Sequence, residues 1–345
     1  MITLTSEIRA NCRHERAKKF GKSDSGAQRY RCLDCGKTWV DSTRTLDGMR
    51  VGLDKAEQIV NCMMEGMGVR STARLAGVAN DTVLGLLVLI GGRCKVFTEQ
   101  ALVNVKVKEV QADEIWSYVG CKERTRVKNS RSNRDCGDRY CYVGMERTTK
   151  LALTWHLGPR DAGETATFVT KLVQACHGGK LQITTDGWMP YKREIREQLP
   201  RADFGMLIKL FRNPGNSGTY SPGQIISVKR KPIQGNPSYE AMCTSHVERH
   251  NLSMRMKLRR FTRLTNGFSR KLENHAAALG LYFAHYNWVQ KHGAHKTTPA
   301  VASGVAEKPW TVRELIDETM GFKPPRPKTA FERFLDTIPD EEPPR

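Results

Sequence analysis

The feature that most constrains the fold is an acidic residue inside a strand-like run at residues 107–120. Apolar and polar residues alternate along this run and Gly120 ends it, which predicts a β-strand followed by a turn. Asp113 occupies a position where such a strand normally buries an apolar side chain. A buried carboxylate needs a compensating partner, and a metal ion is one such partner. Because alternation points the adjacent Glu114 to the opposite face, we expect Asp113 to serve such a site without it.

The segments that follow this run predict a mixed α/β sheet. Two runs of β-prone residues at 139–145 and 150–157 suit a hairpin, and residues 163–176 have the spacing of an amphipathic helix. Residues 181–185 suit a further strand. Three strands, one helix and another strand follow one another in this order in the ribonuclease-H-like fold, which we therefore expect.

Two later carboxylates stand where they can join Asp113 in one site. Asp186 directly follows the predicted strand at 181–185, and Glu248 lies near the start of a helical pattern that begins at about residue 244. Taken singly, Asp186 before a glycine also suits a plain turn, and Glu248 also suits a helix N-terminus. Together the three carboxylates predict a site for Mg²⁺ or Mn²⁺, where two ions assist an in-line displacement at phosphorus.

The net charge of +20 indicates a polyanionic partner, although excess Lys and Arg also occur on solubilising surfaces. Basic residues cluster within 249–271, which contain no acidic residue, and within 122–139. Such clusters neutralise phosphates and release counterions, so they favour DNA binding that depends on salt. The predicted DNA contacts are Lys122, Arg124, Arg126, Arg249, Asn251, Arg255, Arg259, Arg260 and Arg263.

A cysteine pair near the start of the chain predicts one half of a zinc ribbon. Cys32 and Cys35 are separated by two residues, and Gly36 after the second cysteine permits a tight turn. The other half is weaker, because Cys12 has no second cysteine near it and His14 is the nearest candidate for the fourth ligand. We expect a structural zinc ion on these four side chains, and the alternative is a basic arm without metal.

Three helical patterns follow a polar linker. They cover residues 53–67, 71–75 and 80–95, with a Gly-containing turn at 76–78 between the second and the third. Two short helices around such a turn and then a longer one are typical of a DNA-binding helix-turn-helix. A plain three-helix bundle is the alternative.

Several motifs together resemble the DDE transposases of the insertion-sequence-one type. They are Asp113-Glu-Ile-Trp-Ser-Tyr-Val-Gly, Thr185-Asp-Gly, and Ser245-His-Val-Glu-Arg-His-Asn-Leu with Arg255 after it. The front of the chain is similar to that of the longer members of the family. It reads Gln28-Arg-Tyr-Arg-Cys-x-x-Cys-Gly-Lys-Thr and is followed by the helix-turn-helix pattern. One position departs from the family, since Ala17 stands where its members usually have a second cysteine.

The resemblance implies a ribonuclease-H-like catalytic core that depends on Mg²⁺ or Mn²⁺. It implies that Asp113, Asp186 and Glu248 are the metal carboxylates, and Arg255 matches the family's basic residue seven positions after the glutamate. It also implies that the protein cuts and transfers DNA strands at the terminal inverted repeats of an insertion sequence and joins them to target DNA. The working form would be a homo-oligomer, at least a dimer on DNA.

These patterns divide the chain into four parts. We expect a zinc-ribbon-like DNA-binding unit at 1–45, a helix-turn-helix domain at 46–100 and a ribonuclease-H-like DDE domain at 105–300. Residues 301–345 would form a tail with one short helix and a disordered Pro-rich end. No apolar run reaches membrane-span length and no secretion signal is evident, so we expect a cytoplasmic, nucleoid-associated protein with reduced cysteines.

Two other functions are compatible with the same residues. The first is a DNA-binding regulator that uses the ribbon and the helix-turn-helix without catalysis. The second is a ribonuclease-H-like nuclease that hydrolyses DNA but does not join it.

Overall fold

The fold combines a small sheet, a helical unit and a large sheet flanked by helices. The computed structural model of the protein describes residues 12, 15–22, 28–40, 46, 49, 51–129, 135–177, 180–212, 224–263 and 265–322. Within these residues the architecture is mixed α/β, which confirms the predicted class. The Pro-rich end predicted to be disordered lies outside the described residues.

The N-terminal sheet has three antiparallel strands in the order β1-β2-β3. These are β1 (Ala17–Lys22), β2 (Gln28–Cys32) and β3 (Thr38–Val40). The turn between β2 and β3 contains the predicted cysteine knuckle. Gly36 in this turn has a φ of 72°, a left-handed conformation that glycine adopts without steric cost. The turn therefore needs the glycine that follows Cys35.

The three predicted helices are present as α1 (Leu53–Met64), α2 (Val69–Ala76) and α3 (Asn80–Ala101). Gly77 ends α2 in the left-handed conformation and donates its N–H to carbonyls of the last turn. The axes of α2 and α3 are bent by 107° across this turn. Among the described residues no single helix is long and apolar enough to cross a membrane, although α2 and α3 meet that length and composition test as a bent pair.

The large sheet has six strands in the order β6-β5-β4-β7-β8-β9. Its central strands β4 and β7 are parallel, as are β7 and β8, and the remaining neighbours are antiparallel. The strands are β4 (Glu109–Val119), β5 (Gly137–Glu146), β6 (Ala152–Gly158), β7 (Gln182–Asp186), β8 (Asp203–Arg212) and β9 (Gln224–Gln234). Strand β9 forms the outer edge of the sheet beside β8.

Helices cover both faces of the large sheet. The remaining α-helices of the described chain are α4 (Glu123–Lys128), α5 (Ala162–Ala175), α6 (Pro190–Gln198), α7 (Ser245–Lys257), α8 (Leu272–Trp288), α9 (Pro299–Ala302) and α10 (Val312–Gly321). Phe168 of α5 contacts Tyr142 on one face of the sheet, while Asn251 of α7 and His275 of α8 bond to β4 on the other. Helix α4 lies within the basic cluster at residues 122–139.

The helical unit and the large sheet share one hydrophobic core. Buried residues from Leu46 to Ile316 form a single cluster. Helices α3 and α8 approach so closely that a Cβ on Gly91 would overlap the carbonyl oxygen of Ala277, and a Cβ on Gly280 would overlap that of Gly91. The predicted boundary at residues 100–105 therefore separates two sequence patterns but not two independent cores.

Candidate functional site

Parallel pairing of β4 and β7 brings two of the predicted carboxylates together. Ala112 pairs with Thr185, so the next residue on each strand is an aspartate, Asp113 on β4 and Asp186 on β7. Asp113, Glu114 and Asp186 each place a carboxylate oxygen within 4.8 Å of the other two. The end of β7 and the middle of β4 thus carry a compact acidic cluster.

Glu114 belongs to this cluster, so the expectation that it lies away from the site is wrong. Its side chain does point to the opposite face of β4, where it accepts a hydrogen bond from Tyr191 of α6 and is only 2% exposed. Asp186 lies at the end of its strand, where carboxylates from both faces of β4 reach it. Alternation predicted the face of Glu114 correctly, but it did not account for the reach of Asp186.

Arg160, in the turn between β6 and α5, bridges two members of the cluster. Its Nη2 lies 3.0 Å from Glu114 Oε2 and 3.2 Å from Asp186 Oδ2. The guanidinium also lies 4.2 Å from the ring centroid of Trp188, a cation–π distance. This arginine neutralises part of the cluster and holds Asp186 in place. Sequence reasoning missed it, because an arginine in a turn carries no signal of its partners.

Asp113 is half-buried, and a helix on the other face holds it. The side-chain amide of Asn251 on α7 donates to Asp113 Oδ2 at 2.9 Å. Burial, and then the charges of Asp186 and Glu248, raise the pKa of Asp113 to about 7. Burial, and then Asp186, raise the pKa of Glu114 to about 8. A cluster of carboxylates that resists ionisation in this way favours a cation, because a cation relieves both burial and repulsion.

Glu248 lies near the cluster but is held by other groups. It occupies the first turn of α7, and its charge contributes to the raised pKa of Asp113. Its carboxylate accepts hydrogen bonds from Lys209 of β8 and from Thr244. Glu248 is not among the carboxylates that lie within 4.8 Å of one another, which are Asp113, Glu114 and Asp186.

Gln111 fixes α7 to the strand that carries Asp113. Its Oε1 accepts hydrogen bonds from the backbone N–H groups of His246 at 3.0 Å and Val247 at 3.2 Å. These are N–H groups of the first helical turn, which have no partner inside the helix. Because Gln111 is fully buried two residues before Asp113, one strand orients both Asp113 and the helix turn that bears Glu248.

The predicted DNA contacts divide into exposed and inward-facing residues. Asn251 is 4% exposed and bonds to Asp113, and Arg260 donates to the carbonyl oxygen of Asn274. Both are placed to organise the protein rather than to meet a nucleic acid. Arg255 is half-buried near Asp113, and its Nε has no hydrogen-bond partner among the described residues. Arg126 is paired with Glu123, while the exposed members are Lys122, Arg124, Arg249, Arg259 and Arg263.

A second cluster consists of three cysteines beside the N-terminal sheet. The sulfur atoms of Cys12, Cys32 and Cys35 lie within 4.8 Å of one another, and those of Cys12 and Cys32 are 3.6 Å apart. That separation is too long for a disulfide, and it matches the roughly 3.8 Å between two sulfurs bound at about 2.3 Å to one tetrahedral zinc ion. The predicted ligand His14 lies outside the described residues, and Ala17 pairs with Cys32 across the sheet.

The two clusters differ in the metal they suit. Carboxylate oxygens are ligands for hard divalent cations such as Mg²⁺ and Mn²⁺, whereas thiolates suit zinc. The oxygen cluster lies on the central strands of the large sheet, and the sulfur cluster lies on the small sheet. No protein-family model matches the chain.

Proposed function

We propose that the protein is a DDE transposase that binds the ends of an insertion sequence and joins them to target DNA. The observation that carries this proposal is the meeting of Asp113 and Asp186 on neighbouring parallel strands, beside the helix of Glu248. The acids lie on the first and fourth strands of the large sheet counted along the chain, and two antiparallel strands lie on one side of the first. This order supports a ribonuclease-H-like core.

The residues present fit a divalent cation. Asp113 and Asp186 would hold it, with Glu248 completing the ligand set after release from Lys209. A cation bound there neutralises phosphate charge and activates water or a 3′-hydroxyl for in-line displacement. Asn251 keeps the Asp113 carboxylate oriented, and Arg160 keeps Asp186 oriented. The half-buried Arg255 supplies a positive charge beside Asp113, where a phosphate enters.

The N-terminal units supply DNA binding in this proposal. The bend of 107° between α2 and α3 falls within the range of about 90–120° for a helix-turn-helix. The sulfur cluster with His14 would bind one structural zinc ion and make the small sheet a zinc ribbon. We propose terminal inverted repeats and target DNA as partners, a homo-oligomer of at least two chains, and action in the cytoplasm at the nucleoid.

A strand-transfer assay tests the proposal. The full chain is incubated with a labelled DNA end that carries a free 3′-hydroxyl, with a supercoiled plasmid as target and with Mg²⁺, Mn²⁺ or EDTA. The flanking ends of the gene's own element are the natural choice for the labelled DNA. We expect a joined product in either metal and none in EDTA, because the carboxylates need the cation to approach a phosphate.

The same assay separates the two other functions. Metal-dependent nicking without any joined product would indicate a nuclease that only hydrolyses. A regulator would be indicated if the protein bound the DNA end tightly, if Asp113→Asn left this binding unchanged, and if no DNA were cleaved under any condition. Either result would overturn the proposal.

A further inference from the structure

The hairpin of β8 and β9 extends past the carboxylate cluster. Asp186, the last residue of β7, pairs with Leu207 of β8, and β8 continues five residues further to Arg212 with β9 beside it. At about 3.3 Å per residue, the hairpin reaches roughly 17 Å beyond the level of Asp186. Lys209 lies on this extension and bonds to Glu248. The hairpin therefore leaves the sheet beside the acidic cluster.

Its charge is of one sign only. Residues 204–239 contain no Asp or Glu, and their cations are Lys209, Arg212, Lys229, Arg230 and Lys231. Arg230 donates to the carbonyl oxygen of Met242. Lys229 and Lys231 pair with Ile208 and Met206 of β8, close to the level of Asp186. Both are exposed, and neither side chain has a hydrogen-bond or ion-pair partner in the part of the chain that the structure describes. Two cations are thus free to meet an anionic partner.

The hairpin also exposes apolar side chains on both of its strands. Leu210, Ile225, Ile226 and Val228 are 41% to 57% exposed. A second copy of this chain is a poor occupant of this surface, because it would bring two cationic hairpins together without an acidic residue on either. Pairing along the outer edge of β9 is also blocked, since Pro232 lacks an N–H and register shifts interrupt the strand twice.

We propose that this hairpin is a contact surface for double-stranded DNA, which holds the duplex beside the acidic cluster. A two-stranded ribbon fits the major groove, which is about 12 Å wide. Lys229 and Lys231 neutralise phosphates, and the exposed apolar residues lie against the bases and sugars. The inference deepens the proposed function and rests on it, since it supplies a position for the DNA that the carboxylates act on.

The salt dependence of DNA binding by the full chain tests the proposal. The double variant Lys229→Gln and Lys231→Gln removes both free charges from the hairpin. The matched control, Lys291→Gln with Lys296→Gln, removes two exposed charges near His295, which bonds to the β5–β6 turn at the opposite edge of the sheet. Affinity for a labelled duplex is measured from 50 to 300 mM salt without divalent metal, so that no cleavage occurs.

Each lysine that contacts a phosphate contributes about 0.9 to the slope of log affinity against log salt. We therefore expect the hairpin variant to lose about 1.8 from this slope, and the control to keep the wild-type slope. Equal slopes for the two double variants would overturn the proposal. It would also be overturned if the wild type were a dimer, the hairpin variant were a monomer, and the two bound DNA equally well. Strand transfer by the wild type is scored separately, so that failure of the hairpin and failure of the proposed function remain distinct.

Discussion

Replacing Asp113 by Asn should stabilise the metal-free protein, and more so at high pH. Burial is the main cause that raises the pKa of this carboxyl to about 7 from its usual value near 3.8, and the charges of Asp186 and Glu248 add to it. The folded state therefore resists an ionisation that the unfolded chain accepts freely. Asn has a similar shape, keeps an oxygen that accepts from Asn251, and carries no charge at any pH.

Proton linkage gives the direction and the size of this change in stability. Between pH 3.8 and 7 the folded carboxyl holds a proton that the unfolded one has lost, so the contribution of Asp113 to stability falls as pH rises. The loss is complete above pH 7. Each pH unit is worth about 1.36 kcal/mol, and the interval from pH 5 to pH 7 spans two units. The variant should thus gain about 2.7 kcal/mol relative to the wild type between pH 5 and pH 8.

Urea unfolding of both proteins at pH 5 and pH 8 in EDTA measures this difference. Asp317→Asn is the control, because Asp317 is exposed on α10 and is remote from the acidic cluster in sequence. The comparison across pH cancels every effect of the substitution that does not depend on protonation. If the difference in unfolding free energy between variant and wild type were the same at both pH values, the raised pKa of Asp113 would be contradicted. Added Mg²⁺ should then stabilise the wild type alone.

Three further outcomes follow from the fold. Gly91→Ala should lower the free energy of unfolding in urea by about 1–3 kcal/mol, because its Cβ overlaps the Ala277 carbonyl. Gly92→Ala, whose Cβ meets no atom of the described residues within 4 Å, should be neutral or slightly stabilising. Burial lowers the pKa of His275 to about 3, so the wild type should lose stability as pH falls below the usual value of 6.5; His275→Asn should escape about 2 kcal/mol of that loss between pH 6.5 and 5. Elemental analysis should find one zinc ion per wild-type chain and much less in Cys35→Ser; equal zinc contents would contradict the proposed ribbon.

Strand alternation and element order predicted much of the large sheet and the position of Asp113. They succeed there because the side chains of a strand alternate between its two faces, which leaves a period of two in the sequence. The same rule failed for Glu114. Which carboxylates meet depends on where β7 ends beside β4, and only the register of the two strands determines this.

The sequence carried little signal for the groups that support the site. Gln111 and Arg160 act through partners that are 135 and 26 positions away along the chain, and neither belongs to a local pattern. Strand β8 and helix α6 were not predicted at all. Their residues alternate weakly, and packing against the sheet decides their conformation more than local propensity does.

The hairpin of β8 and β9 was not predicted, for a different reason. Gly and Pro residues surround β9 at 213–223 and 235–237, so the segment has the composition of a loop. Pairing with β8 makes this segment a strand, and two register shifts interrupt the pairing, so β9 has no regular alternation for the sequence to show. The zinc ligand set and the role of the helix-turn-helix stay predictions.

The most direct test of the central claim is the rate at which Asp186→Asn joins a DNA end with a free 3′-hydroxyl to a target plasmid in Mg²⁺. Asp317→Asn serves again as the control for the loss of one carboxylate. We expect the control to join ends at the wild-type rate and Asp186→Asn to be slower by at least about a thousandfold, which corresponds to roughly 4 kcal/mol of lost transition-state stabilisation. Joining by Asp186→Asn at the wild-type rate would contradict the assignment of the acidic cluster as the catalytic centre.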